Sequence, residues 1–159
     1  MTLRMSVSHS GKLRLSNSGS SGRFDWQRAA RVWADEATLL VRGALENQAP
    51  VGKGPDAGRL RDSIHAVRRV GATSVTIEFY ATAPYTRFVL DGTQPHVIRA
   101  VRARYLHWVD AGGQDRFAKQ VNHPGTRPNR FPQRALAMVL PAVQHRYAAI
   151  TAEAMRSQP

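Results

Sequence analysis

The chain has 159 residues, 42% of them apolar and 21% charged, values that suit one ordinary globular domain and exclude wholesale disorder or two full-sized domains. No apolar run approaches the roughly 18 to 20 residues that cross a bilayer, residues 1–10 lack the apolar stretch of a secretory signal, and with no cysteine there is no disulfide framework, zinc ribbon or thiol nucleophile, so the expected setting is cytoplasmic. Twenty-three Lys and Arg against 11 Asp and Glu leave a net charge of +12, an excess that calls for an anionic partner, either nucleic acid or an acidic protein surface.

Residues 1–23 combine Ser, Gly and Asn with Arg4, Lys12, Arg14 and Arg23 and no acidic side chain, which predicts a flexible basic arm. Within it, Leu3, Met5 and Val7, then Leu13 and Leu15, alternate as in short strands that form when an edge is supplied to them. From Asp25 to Asn47, Trp26, Ala30, Trp33, Ala37, Leu40 and Ala44 recur at helical spacing, with Asp25 as N-cap. Ala49-Pro50 ends this helix, and the Gly- and Pro-rich run 51–58 reads as a loop.

Strands are expected at 60–70 and 74–81 around a turn at Gly71-Ala72; in the second, Val75, Ile77 and Phe79 alternate with Thr76, Glu78 and Tyr80, the mark of a sheet with one buried face. A helical turn follows over 85–90, closed by Asp91-Gly92-Thr93. Further strands are expected at 96–102, 103–109 and 116–122, with Asp110-Ala111-Gly112-Gly113 as a hairpin between the last two. A closing helix over 130–155 aligns Phe131, Ala135, Val139, Val143, Tyr147 and Ile150, and Pro141 is expected to kink or interrupt it. Short turns between strands and long helices at the two ends predict an α+β fold. It is expected to be one domain over residues 24–159, with an antiparallel β-sheet of about four to five strands packed by the N-terminal and C-terminal helices.

Chemistry-bearing patterns are sparse. Ser63 and His65 share a face if they lie on a strand, yet no nucleophile-elbow glycines surround the serine, so no catalytic residue is assigned and the chain is not expected to be an enzyme. The histidines show no close pairing with carboxylates, although His96, His107 and His123 would converge across a sheet, and no metal is expected. Gly52, Gly54 and Gly58 miss the spacings of phosphate-binding loops, so no cofactor is expected. Charge is more informative. Between Arg99 and Arg134 lie eight basic side chains against Asp110 and Asp115. Arg99, Arg102, Arg104, Arg127 and Arg130 are the candidate contacts to DNA or to a partner, acting on phosphate or carboxylate without reading bases. Arginine makes up 20 of the 23 cations, which fits either bidentate recognition or a GC-rich coding sequence.

Three blocks together resemble the head-to-tail joining, or tail-completion, proteins of long-tailed double-stranded DNA bacteriophages and prophages. They are Ala49-Pro50-Val51-Gly52 with Gly58-Arg59-Leu60-Arg61-Asp62-Ser63-Ile64, then Tyr85-Thr86-Arg87-Phe88-Val89-Leu90-Asp91-Gly92-Thr93, and last Val121-Asn122-His123-Pro124-Gly125-Thr126 running on to Pro132. The resemblance spans residues 26 to 150. It implies a non-enzymatic virion protein of the neck or tail, assembled in the host cytoplasm, forming a homo-oligomeric ring expected to have six subunits. The partners it implies are connector or stopper proteins and tail-terminator or tail-tube proteins, with duplex DNA passing through the channel and no membrane. It also implies that Gly58, Leu60, Ser63, Gly92, Thr93, His123, Pro124 and Gly125 shape the loops that make repeated contacts. Six copies at +12 repel one another. The isolated chain is therefore expected to be largely monomeric, with salt-sensitive assembly. The competing reading is a sequence-independent nucleic-acid-binding module.

Overall fold

The computed structural model describes residues 2–8, 26–52, 57–72, 74–110 and 112–156. Two compact units emerge, the first formed by Met1–Thr86 with Arg130–Pro159 and the second by Arg87–Asn129.

In the first unit, strand β1 (Thr2–Ser8), helix α1 (Trp26–Gln48), the short helix α2 (Arg59–Asp62), strands β2 (Ile64–Val70) and β3 (Ser74–Ala81), and helix α4 (Phe131–Arg156) follow in chain order. Strand β3 is central, flanked antiparallel by β1 and β2. Its alternation is realised as expected: Val75, Ile77 and Phe79 are buried and Thr76, Glu78 and Tyr80 are not. Full burial of each such side chain contributes about 1.5–3 kcal/mol.

Helix α1 turns Ala30, Trp33, Ala34, Ala37, Val41 and Leu45 inward, so the apolar stripe runs through Val41 and Leu45 while Leu40 is partly exposed. Its principal neighbour is α4, and it also lies against β2 and β3. The Trp33 indole joins the two helices, its Nε1 donating to the Val143 carbonyl at 3.1 Å and its ring meeting Tyr147 edge-on with centroids 5.6 Å apart. Phe131, Ala135, Val143 and Ile150 are the buried side of α4, with Val139 and Tyr147 half-buried. Pro141 does not interrupt this helix. The bond it removes would reach the carbonyl of Ala137, and both residues are exposed, so that carbonyl is open to solvent and the loss costs little.

The alternating segment Leu3–Val7 of the basic arm lies in β1, with the chain's own β3 supplying the edge; Met5 stands opposite Ile77 in the register. The rest of the arm, with Leu13, Leu15 and the Asp25 cap, lies outside the described residues. The strand expected from residue 60 starts only at Ile64, because Leu60 to Asp62 form the turn of α2.

The second unit holds α3 (Thr86–Asp91, beginning at the last residue of the first unit), β4 (His96–Arg99), β5 (Leu106–Val109), β6 (Asp115–Ala118) and β7 (Gln120–His123). Its strands form two separate antiparallel ribbons, β4 with β7 and β5 with β6. The single sheet of four to five strands is thus corrected to a three-stranded sheet plus two ribbons, within the α+β class. The physical reason is in the burial: no described residue from 87 to 129 is buried, so these four-residue strands have no apolar face to lay on a common sheet. The strand expected at 116–122 divides accordingly, its first part pairing with β5 and its second with β4.

Candidate functional site

Two loop constructions carry the residues singled out by the resemblance. In the first unit, Gly58 takes φ 85° at the start of α2, a backbone region that side chains disfavour. Leu60 is buried two residues later, and the Ser63 hydroxyl donates to the Leu60 carbonyl at 2.8 Å, closing the turn. The Ser63 proton is thereby committed to a backbone oxygen, and the His65 ring packs on Tyr80 with centroids 5.6 Å apart. The residue pair weighed for catalysis is used for turn closure and ring packing.

In the second unit the two Gly-containing blocks interlock. Thr93 and Thr126 exchange both backbone hydrogen bonds, at 3.0 and 3.1 Å, and their hydroxyls meet at 3.1 Å. Gly92 and Gly125 flank this bridge with φ 72° and 84°. A Cβ on Gly92 would overlap the Thr126 carbonyl oxygen and come within 2.9 Å of the Pro128 nitrogen; one on Gly125 would overlap the Thr93 carbonyl oxygen and lie 3.0 Å from the Gln94 carbonyl carbon. Each glycine therefore leaves the space that the other block's backbone fills. Asn129 N–H donates to the Val89 carbonyl at 2.9 Å, tying the end of the third block to α3.

Next to the bridge, His96 and His123 are register partners with ring centroids 5.0 Å apart. The Gly125 N–H donates to Nδ1 of His123 at 3.0 Å, while Nδ1 of His96 contacts the Gln94 carbonyl at 2.8 Å and so must carry its proton. His107 does not join them: it stands on β5, bonded through Nε2 to Asp115 at 2.6 Å and stacked on Phe117 at 4.7 Å. Among the described residues no group of three or more His, Asp or Glu is placed to hold a metal. Arg87, Phe88, Asp91 and residues 92–96 line an open concavity of about 570 Å³.

The hairpin between β5 and β6 is built by Asp110, whose Oδ1 accepts from the N–H groups of Gly112 and Gln114 at 2.9 and 3.0 Å and whose Oδ2 accepts from Arg116 at 2.8 Å. The Gln114 N–H first, then Arg116, hold its carboxyl below the ordinary aspartate range. In the first unit Arg146 lowers Glu36 and Arg4 lowers Glu78 in the same way.

The candidate arginines are all exposed. Arg99 ends β4, and Arg127 lies in the loop after β7. Arg102 and Arg104 are on the bend between β4 and β5, not on a shared strand face, and the Arg104 guanidinium sits 5.7 Å from the Tyr105 ring centre. Arg130, in the first unit, directly precedes α4. Val97, Ile98, Val101, Trp108, Val109 and Phe117 fall in the segments expected as strands; all are exposed, Val101 at 90% and Phe117 at 65%. The signal for this was their crowding by arginines on strands with no intervening helix to cover them.

No curated protein and no solved structure matches the chain significantly. One family matches, described as "Bacteriophage HK97-gp10, putative tail-component", over residues 18–92. The match takes in α1, α2, β2, β3 and α3 and stops at Gly92, so the first two motif blocks lie inside it up to that glycine, and the third lies outside but is bonded to the second through Thr93 and Thr126. Over that stretch the chain is similar to the HK97-gp10-like family of phage tail components.

Proposed function

We propose that the chain is a structural subunit of the head-to-tail junction, in the neck or at the top of the tail tube, where six copies close into a ring that joins or completes the tail and lets DNA pass. The carrying observation is the family match over residues 18–92, which coincides with the helix-and-sheet core and the α3 turn. That core is held by side-chain burial and supplies the rigid body a ring needs for repeated identical contacts. The role is architectural and non-enzymatic: the subunit works by holding loops in place against the connector or stopper on one side and tail proteins on the other. Assembly takes place in the host cytoplasm and the product is carried in the virion. A net charge of +12 suits a channel that DNA traverses without base readout.

Cryo-electron microscopy of particles carrying the chain tests this reading. Six-fold density at the junction is the expected result; absence of the chain from purified particles sinks it. Exposed Arg99, Arg102, Arg104 and Arg127 favour a second reading, a sequence-independent nucleic-acid binder. That reading requires the free chain to hold duplex DNA and to release it steeply as salt rises.

A further inference from the structure

The second unit shows its side chains to the outside and has a charge imbalance that the chain does not correct. Of the nine described carboxylates, at least seven are engaged by the chain's own cations: Asp35 by Arg68, Glu36 by Arg146, Glu46 by Arg42, Asp62 by Arg61, Glu78 by Arg4 and Arg69, Asp110 by Arg116, and Asp115 by His107. Arg99, Arg102, Arg104 and Arg127 have no carboxylate partner among the described residues. Among the described residues no carboxylate competes for them, and they are available to another molecule.

Apolar side chains on the same unit decide what kind of molecule. Val97 and Arg99 share a face of the β4–β7 ribbon, Trp108 and Arg116 share one of β5–β6, and Val101 precedes Arg102 on the bend between them. Apolar and aromatic groups interleaved with arginine are the composition of a protein interface core. Sequence-independent binding to duplex DNA works through phosphate contacts to the cations, and it uses apolar side chains only where they wedge between base steps and kink the helix. A second copy of the chain is a poor match, because it carries +12 and its described carboxylates are mostly taken.

We infer that the second unit, through Val97, Val101 and Trp108 together with Arg99, Arg102 and Arg104 of the same segment, docks an acidic surface with an apolar centre on a different protein. This rests on the reading of the chain as a junction subunit, and makes the ribbons its contact to a neighbour rather than to the DNA.

The test is photocrosslinking in the full-length chain, co-expressed with the structural proteins encoded beside it and with duplex DNA present in the lysate. Trp108 is replaced by p-benzoylphenylalanine in one variant and Val101 in a second, and the adducts are mapped by mass spectrometry. The expected result is an adduct to a different, acidic structural protein near its carboxylates, reduced on the order of tenfold by R99E/R102E/R104E, since like charges set against each other at an interface weaken docking by at least that much. Adducts to DNA or to a second copy overturn the inference, as does the lack of any adduct from both positions, or an adduct that the charge reversal leaves unchanged. Incorporation into purified particles is scored separately: a chain that is incorporated without an adduct refutes the docking surface alone, and an adduct without incorporation refutes the junction reading alone.

Discussion

The two units keep their shape by different means. The first buries one face of β3 and facing stripes of α1 and α4, with Trp33 tied to both a carbonyl and an aromatic ring on α4. The second buries no described side chain and relies on two short ladders, a threonine bridge between two glycines and an aspartate-closed hairpin. Where burial fixes the shape, the apolar side chains are used up by folding. Where the backbone fixes it, they remain available for contacts with other molecules.

The sharpest way to break this comparison is to cut each unit at its own support. Trp33→Ala removes the indole from between α1 and α4 and is expected to cost about 3–5 kcal/mol in denaturant unfolding; a loss below about 0.5 kcal/mol, the size of an ordinary surface effect, contradicts side-chain burial as the main support of the first unit. Gly125→Ala is expected to cost about 1–2 kcal/mol through the left-handed backbone alone, and more through overlap with the Thr93 carbonyl oxygen. Hydrogen exchange should show its effect at the amides of Thr93 and Thr126, while the Ile77 amide in β3 keeps its protection. Equal exchange at all three would erase the distinction.

A pH titration sharpens the same point. Because the Asp110 carboxyl is held below its ordinary value of 3.8, its contribution to the hairpin is fully present above that value and is lost as pH falls through the lowered one. The amide resonances of Gly112 and Gln114 should move together in that acid range, and Asp110→Asn should abolish the movement. The smallest effect is expected at the exposed apolar positions: Phe117→Ser and Val101→Ser should change stability by no more than about 0.5 kcal/mol. A larger loss would mean that these side chains support the fold.

Elements that bury a periodic face were legible in the sequence. The alternation of residues 75–80 located β3, and helical spacing located α1 and α4, although the stripe on α1 runs through Val41 and Leu45 where the pattern of Leu40 and Ala44 had been followed. Leu60 was misplaced onto a strand because a single buried leucine in one helical turn has no period to read. The ribbons were legible only as strand-forming composition. Four-residue strands exposed on both faces give no signal of which strand pairs with which, so the division of 116–122 between two ribbons was hidden. For the candidate site, the cluster of arginines could be counted from sequence, whereas the mutual exclusion of Cβ atoms at Gly92 and Gly125 depends on two backbones meeting across 33 residues.

That meeting of backbones has an evolutionary consequence. An anchor made from main-chain atoms and missing side chains places almost no demand on the identities of the residues beyond it, so substitutions at Val101, Trp108 or Phe117 leave the foot of the ribbons unchanged. The recognition chemistry of the second unit can in this sense be rewritten one residue at a time to follow a changing neighbour, while the helix-and-sheet core remains under the separate constraint of packing.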